Sequence, residues 1–309
     1  MSMQAPQAIS ERTALSLEVG LLVLLSLIWG SSFTLIKVAL ATAPPFTMVA
    51  ARVTLAAILL ICAAITQEHP LPRQRSVWAA LLVQGLLQSA LPFTLISWGE
   101  TQIPSGLAGV LNATPPLFVL MIALMTGRER RTMNARKIIG VALGLAGVIL
   151  TIGIDASGGT RSAPLAQVAV LGASLCYALA PIWGQRFSSL PAIVTAAGAM
   201  SCAAILMLPM AATVERPWTL APTAQAIAAV IALAVICTAL AMVIYFRLIR
   251  TLGPLGTTSG SYLRAGFAVA LGIAWLDEGF RWSVLTGMSL IVIGVIAVTL
   301  PARHEKQIG

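Results

Sequence analysis

Charged side chains are scarce in this chain, since Asp, Glu, Lys and Arg make up 9% of its 309 residues. Soluble domains carry about 25% charged residues, whereas hydrophobic residues reach 58% here. No long polar stretch remains that could form a large soluble domain. The composition therefore predicts an integral membrane protein that has the lipid bilayer as its surroundings.

The residues that enzymes and metal sites use are also few. The two histidines are His69 and His304, and the four cysteines lie singly in apolar segments without a CxxC pair. This pattern predicts neither a metal site nor a disulfide framework, and no cofactor is expected. Membrane-embedded enzymes need clustered carboxylates or histidines, and no DxxxD, HExxH or GxSxG motif occurs. We therefore do not expect an enzyme.

Ten apolar runs follow one another along the chain, each of about the 20 residues that span a bilayer. We place them at residues 18–42, 45–66, 76–98, 103–126, 135–153, 164–186, 190–212, 222–246, 255–276 and 282–300. Proline and glycine clusters, such as the Gly253-Pro254 pair, mark the breaks between runs. The first run is too long for a signal peptide, and no A-x-A-like cleavage site follows it. Residues 1–17 are therefore expected to be a short tail before a true span.

The 19 Lys and Arg residues are distributed unevenly between the loops. With the N-terminus inside, 13 lie in inner loops and tails, 3 in outer loops and 3 within spans. Because cytoplasmic loops are enriched in Lys and Arg, this bias predicts cytoplasmic N- and C-termini and an even number of spans. The same rule explains the net charge of +9, and we expect no nucleic-acid partner.

The two halves of the chain match each other at an offset near 148 residues. LIWGSS around Trp29 faces LCYALAPIWG around Tyr177, and MTGRE, which ends at Glu129, faces WLDEG with Glu278. Each of the last two motifs precedes an apolar run that carries glycines. The match indicates an internal duplication.

This duplication divides the chain into two copies of five helices. The copies are residues 18–153 and 164–300, with a linker at 154–163 and a cytoplasmic tail at 301–309. Because five is odd, the copies must cross the membrane in opposite senses. Inverted repeats are a transporter architecture, with the substrate site near the midplane between the halves. The predicted fold is an all-α polytopic membrane protein with ten transmembrane helices in two inverted five-helix repeats (5+5).

Four motifs resemble those of a known family. They are Trp-Gly-Ser-Ser-Phe at 29–33, Arg52 in the second span, Thr-Pro-Pro-Leu at 114–117 and Gly-Arg-Glu at 127–129 before a glycine-spaced fifth span. Together they resemble the EamA branch of the drug/metabolite transporter superfamily, in two copies over nearly the whole chain. The second half departs from this pattern, because Arg264 and Ala265 stand near the positions that match Pro115 and Pro116.

The resemblance implies a bacterial inner-membrane exporter of amino acids or related metabolites that works through a central cavity. The chain is most similar to the aromatic and broad-specificity amino-acid exporters, so aromatic and other neutral amino acids are the favoured substrates. An exporter of drugs or other small metabolites on the same fold is the alternative. A monomer suffices for such a carrier, and the oligomeric state stays open. The Gly140-xxx-Gly144 motif is compatible with a dimer contact or with internal packing.

Polar and aromatic residues within the predicted spans are the candidates for substrate binding. They are Trp29, Ser32, Lys37, Gln84, Gln88, Asn112, Pro115, Tyr177, Trp183, Tyr262 and Arg264. Gln84 and Gln88 are four residues apart and therefore share a helix face. Pro115 should disturb its helix and free backbone carbonyls that could accept from an ammonium group. The alternative for the small and polar members is helix–helix packing, and Tyr245, near a predicted span end, is assigned to an interfacial aromatic belt.

Arg264 is the most informative of these residues. It is expected some ten residues into the ninth span, where an unpaired arginine is costly and must face protein or water. Its guanidinium suits a carboxylate. We expect Arg264, Asn112 and Lys37 to hold a substrate carboxylate between aromatic walls. The alternatives are that Arg264 binds helix-end carbonyls and that Lys37 extends to the lipid headgroups.

Acidic residues are expected only near span ends. Proton-driven carriers usually need an Asp, Glu or His chain within the membrane, and the first span holds Trp29 to Ser32 where the small multidrug exporters carry a glutamate. The sequence therefore predicts facilitated movement rather than obligate proton antiport.

Overall fold

The computed structural model describes residues 5–125, 135–155, 163–279 and 282–299, and all regular structure in these ranges is helical. The helices are α1 Ala5–Leu40, α2 Pro45–Thr66, α3 Arg75–Gly85, α4 Leu91–Glu100, α5 Ser105–Leu111, α6 Pro115–Met125, α7 Ala135–Asp155, α8 Ala163–Gly184, α9 Ala192–Val214, α10 Ala224–Ala234, α11 Ala241–Ser259, α12 Ser261–Leu276 and α13 Trp282–Thr299. Two π-helical turns, Leu86–Ala90 and Val235–Leu240, join α3 to α4 and α10 to α11.

Seven helical segments in the described ranges are long and apolar enough to cross a membrane. They are Leu17–Leu40, Pro45–Thr66, Arg75–Glu100, Ser105–Ile122, Pro164–Phe187, Ala192–Val214 and Ala224–Leu252. Three shorter apolar helices, Ile138–Gly147, Leu263–Leu276 and Val284–Gly294, coincide with the other three predicted spans. The all-helical, multi-pass membrane architecture is therefore confirmed, whereas the described helices that meet the length criterion number seven rather than ten.

The break predicted at Gly253-Pro254 is wrong. Helix α11 continues through this pair to Ser259, and α12 begins at Ser261 after a turn at Gly260. Pro254 costs the helix one backbone hydrogen bond, which is tolerated where neighbouring helices surround it. Arg264 therefore lies in the first turn of its helix rather than some ten residues into it.

The predicted fourth span is interrupted, as Pro115 led us to expect. Helix α5 ends at Leu111 and α6 begins at Pro115. Two consecutive prolines remove the N–H groups that would bond the carbonyls of Leu111 and Asn112 in a continuous helix. The Leu111 carbonyl accepts instead from the hydroxyls of Thr114 at 2.9 Å and Ser174 at 3.1 Å.

Helices α7 and α13 pack closely because glycines face each other. A Cβ added at Gly294 would lie 2.6 Å from the backbone nitrogen of Gly144, and one added at Gly147 would lie 2.7 Å from the carbonyl oxygen of Gly287. Only residues without a side chain allow such a backbone approach. Of the two roles open for the Gly140-xxx-Gly144 motif, the structure shows internal packing.

Candidate functional site

Two small adjoining cavities lie among α1, α8 and α12, and Trp29, Tyr177 and Arg264 line both of them. Their volumes are about 30 Å³ and about 20 Å³. A cavity needs roughly 10–15 Å³ to hold one water molecule. Each cavity therefore holds a few water molecules at most, and the conformation described here leaves no room for an amino acid.

Arg264 lines both cavities and is only 7% exposed. Its Nη2 donates to the Asn112 carbonyl at 2.7 Å, which is one of the two carbonyls freed by the prolines. The guanidinium carbon lies 5.7 Å from the Trp29 ring centroid and 5.6 Å from that of Tyr177, a distance at which an aromatic ring attracts a cation. Arg264 thus binds a helix-end carbonyl and also faces the cavities.

Several buried polar atoms around Arg264 have no hydrogen-bond partner. They are Arg264 Nε, Gln88 Oε1, Asn112 Oδ1 and the Tyr245 hydroxyl. Gln88 and Tyr245 line the larger cavity and Asn112 the smaller one. A buried polar group without a partner costs about 1–3 kcal/mol, so these four atoms are available to bond to water or to a ligand in the cavities.

The π turn at Val235–Leu240 lies behind the cavity wall and bonds to two residues that line the cavities, Trp29 and Arg52. A π turn displaces the backbone hydrogen bonds of a helix and is frequent at functional sites. The Cys237 carbonyl in this turn accepts from Trp29 Nε1 at 3.1 Å and from Arg52 Nη2 at 3.4 Å. Arg52 Nε also donates to Thr238 Oγ1 at 2.7 Å. These bonds fix the Trp29 ring and a second buried arginine.

Arg52 was absent from the predicted site, although it belongs to the motif that the family resemblance uses. Its guanidinium carbon lies 3.9 Å from the centroid of the Phe93 ring, and both residues line the smaller cavity. The sequence signal was its position as an arginine within the second span, where a charge is costly unless protein surrounds it.

The assignment of Tyr245 to an interfacial belt is wrong. Tyr245 is 4% exposed and lines the larger cavity, with its ring centroid 5.5 Å from that of Trp29. The error follows from the misplaced break at Gly253-Pro254, because α11 continues well beyond Tyr245.

Three predicted site residues lie away from both cavities. Lys37 donates to the carbonyls of Glu100 at 2.6 Å and Ile103 at 3.0 Å. Trp183 donates to the Ala80 carbonyl at 3.0 Å. Gln84 is buried beside α8, and the π turn that begins at Leu86 changes its angular relation to Gln88.

The remaining predicted residues are Ser32, Pro115 and Tyr262. Ser32 lines the smaller cavity, and its hydroxyl donates to the Trp29 carbonyl at 2.7 Å. Pro115 lines the larger cavity. Tyr262 belongs to α12, but its side chain is outside the described part of the structure.

Contacts between distant helices close the molecule on both sides of the cavities. At the start of the apolar part of α1, Glu18 accepts from Arg247 at 2.8 Å and from Thr251 at 3.0 Å. On the other side, Glu278 accepts from the backbone N–H groups of Ser105 at 2.6 Å and Gly106 at 2.9 Å. These contacts join α1 to α11 and the segment after α12 to the start of α5.

A multi-pass helical membrane protein with a closed polar and aromatic cavity has the features of a membrane carrier. A family model described as the EamA-like transporter family matches residues 16–153 and again residues 164–300. The chain therefore belongs to the EamA-like transporter family, and the resemblance drawn from its motifs is confirmed. This is a family of transporters rather than of enzymes.

Two relatives and one solved structure illustrate the similarity. The chain is 30% identical over 282 residues to the uncharacterized inner membrane transporter YedA of Escherichia coli K12, covering 91% of this chain and 90% of that protein. It is 28% identical over 296 residues to a probable terminal-alkyne amino-acid exporter of Streptantibioticus cattleyicolor, covering 95% and 98%. One crystal structure shares the fold with a TM-score of 0.65 at 19% identity, covering 94% of this chain and 99% of the other.

Proposed function

We propose that this protein exports amino acids, with aromatic and other neutral ones favoured, from the bacterial cytoplasm by alternating access through the central cavity. The unpartnered donor and acceptor atoms around Arg264 carry this proposal, because together they match both charged groups of an amino acid. The name of the Streptantibioticus relative, an amino-acid exporter, supports the same substrate class.

Arg264 binds the substrate carboxylate in this proposal. One of its nitrogen atoms is already bonded to the Asn112 carbonyl, and its Nε is without a partner in the closed state. A guanidinium can bond a carboxylate through two parallel N–H groups. In the described residues no salt bridge joins Arg264 to an acid, so the carboxylate would supply its counter-charge.

The amide oxygens of Gln88 and Asn112 bind the substrate ammonium group, so Asn112 takes a different role from the carboxylate contact expected from the sequence. Both oxygens are buried acceptors without partners, and an ammonium group offers three donors. The Asn112 oxygen keeps a fixed position because the amide nitrogen of the same side chain donates to Ser174 Oγ at 3.1 Å.

The aromatic rings of Trp29, Tyr177 and Tyr245 contact the substrate side chain. Trp29 and Tyr245 already pack together at 5.5 Å between centroids, and aromatic pairs at such distances are favourable. An aromatic or apolar side chain that enters between them exchanges water for ring contacts, which favours aromatic and other neutral amino acids over charged ones.

The proposed architecture is ten spans in two inverted copies of five, with both termini in the cytoplasm. The two π turns begin at Leu86 and Val235, which is an offset of 149 residues and supports a common plan for the halves. The distribution of Lys and Arg supports the orientation. Facilitated movement was expected because the acids were expected only near span ends. Glu100 does lie at the end of α4, but its side chain is buried.

Counterflow in proteoliposomes tests the proposed function. Vesicles loaded with unlabelled L-phenylalanine should take up labelled aromatic and neutral amino acids in a saturable manner, and Arg264→Leu should lose this uptake. Arg186→Leu removes an exposed arginine that stacks on Trp183 outside the cavities, so it serves as the matched control. Absence of exchange for every amino acid tested, with folded protein in the vesicles, would overturn the proposal and favour drugs or other metabolites.

A further inference from the structure

Glu100 is the last residue of α4, and its carboxyl group is buried in protein rather than exposed to water. It is 0% exposed, and neither of its carboxyl oxygens has a hydrogen-bond partner. An ionised carboxylate buried without a partner is strongly disfavoured, whereas a neutral carboxyl costs far less. We propose that Glu100 holds a proton in this closed conformation, and that release of this proton couples substrate export to a proton gradient.

The charged groups around Glu100 are engaged elsewhere. They are Lys37 from α1, Arg52 from α2 and Glu278 from the segment after α12. Lys37 is bonded to the main-chain carbonyl of Glu100 rather than to its carboxyl group, and Arg52 is bonded to Thr238. The other helices packed against α4 contribute few titratable groups, since α5 has no titratable side chain and α8 has only Cys176 and Tyr177.

Loss of the proton would create an anion that the closed structure does not accommodate. The anion can be stabilised by water, which requires an opening, or by Lys37 after it leaves the carbonyls of Glu100 and Ile103. Either change loosens α1 from the segment that joins α4 to α5. Glu278 binds the start of α5 at this same place, so the protonation state of Glu100 is tied to closure between the two halves of the chain.

Helix α4 also connects Glu100 to the cavity. Phe93 and Ile96 of this helix line the smaller cavity, and Glu100 lies four residues beyond Ile96, which is about 6 Å along a helix. The proton passes from the carboxyl group to water on the side that opens and is taken up from water on the opposite side. Because the substrate moves in the other direction, the exchange is an antiport. This coupling rests on the proposed transport function, but the protonation of Glu100 does not.

Infrared spectroscopy tests the protonation directly and requires no substrate. The purified protein at pH 7 should show the C=O stretch of a protonated carboxyl group, and this band should be absent from Glu100→Gln. Glu68→Gln, which changes an exposed loop glutamate, should keep the band. A wild-type spectrum without the band would overturn the proposal. Failure of Glu100→Gln to fold would also count against it, because glutamine reproduces a neutral carboxyl group.

Transport in proteoliposomes tests the coupling. Vesicles one pH unit more acidic inside, with the membrane potential clamped at zero because this exchange moves one charge, should accumulate labelled L-phenylalanine about tenfold for one-to-one exchange. Glu100→Gln should show slow exchange that does not depend on pH and no accumulation, whereas Glu68→Gln should match the wild type. Active counterflow without accumulation in the wild type, or accumulation by Glu100→Gln, would overturn the coupling. Absence of counterflow in the wild type would instead contradict the proposed function. The infrared band would then be the only test of whether Glu100 is protonated.

Discussion

Replacement of Arg264 by leucine should abolish transport at the substrate concentrations that serve the wild type, while leaving the protein folded. In the proposed complex the substrate carboxylate is buried against the guanidinium, so truncation leaves a buried charge without its partner. Such a loss costs about 2–5 kcal/mol, which corresponds to a rise of about 30-fold to 5,000-fold in the substrate concentration for half-maximal transport. Counterflow over a wide range of substrate concentration measures this change.

The stability of the same variant should change little. Leucine cannot donate to the Asn112 carbonyl, and this loss costs about 1.5–3 kcal/mol. Removal of a charge that is only 7% exposed relieves a desolvation cost of similar size, since replacing buried charges by apolar groups is often neutral. Thermal unfolding in detergent should therefore show a net change within about 2 kcal/mol.

Two further variants separate the role of the charge from the role of its geometry. Arg264→Lys keeps the charge but loses the planar pair of donors, so its transport should fall between those of the wild type and Arg264→Leu. Arg186→Leu should transport within about twofold of the wild type, as expected for an exposed side chain. Full transport by Arg264→Leu, or an equal loss in Arg186→Leu, would refute the assignment.

Three other predictions follow from the contacts described. Gln88→Leu should weaken binding of neutral amino acids by about 1–2 kcal/mol, because the ammonium group loses an acceptor, and an unchanged half-maximal concentration would contradict this. Gly294→Leu should lower the free energy of unfolding by about 1–3 kcal/mol, since its side chain would meet the backbone of Gly140 in a packed interface; an unaltered thermal midpoint would show that α7 and α13 separate freely. Glu18→Gln should lower stability by less than about 1 kcal/mol, because Arg247 is 48% exposed and exposed ion pairs contribute little; a larger loss in thermal unfolding would show that this link is a main closure.

The hydrophobic pattern was sufficient to predict the class of the protein and most of its helices. Apolar runs of about 20 residues have a single stable solution in lipid, because every backbone polar group must be satisfied within a helix. The positions of proline residues were a less reliable guide to where helices end. Pro115 did interrupt its helix, whereas Pro254 lies inside α11, since neighbouring helices decide whether a lost hydrogen bond is tolerated.

Some of the residues that line the cavities were predicted from the sequence. Trp29, Tyr177 and Arg264 meet at the cavities as the sequence led us to expect, because buried polar and aromatic groups in an apolar span must face protein or water. Lys37 and Trp183 lie elsewhere, bonded to carbonyls of other helices. Spacing along one helix gives the face of a residue but not the identity of the helix that covers that face.

The sequence by itself determined a duplicated, multi-pass helical membrane protein of a transporter family, because hydropathy, charge distribution and repeated motifs are properties of the chain alone. Only the tertiary structure decided that Arg52 and Tyr245 join the cavity and that Glu100 is buried at the end of its helix. The reason is physical: whether a polar side chain near a helix end meets water or protein depends on what packs above it, and that packing comes from helices far away in the sequence.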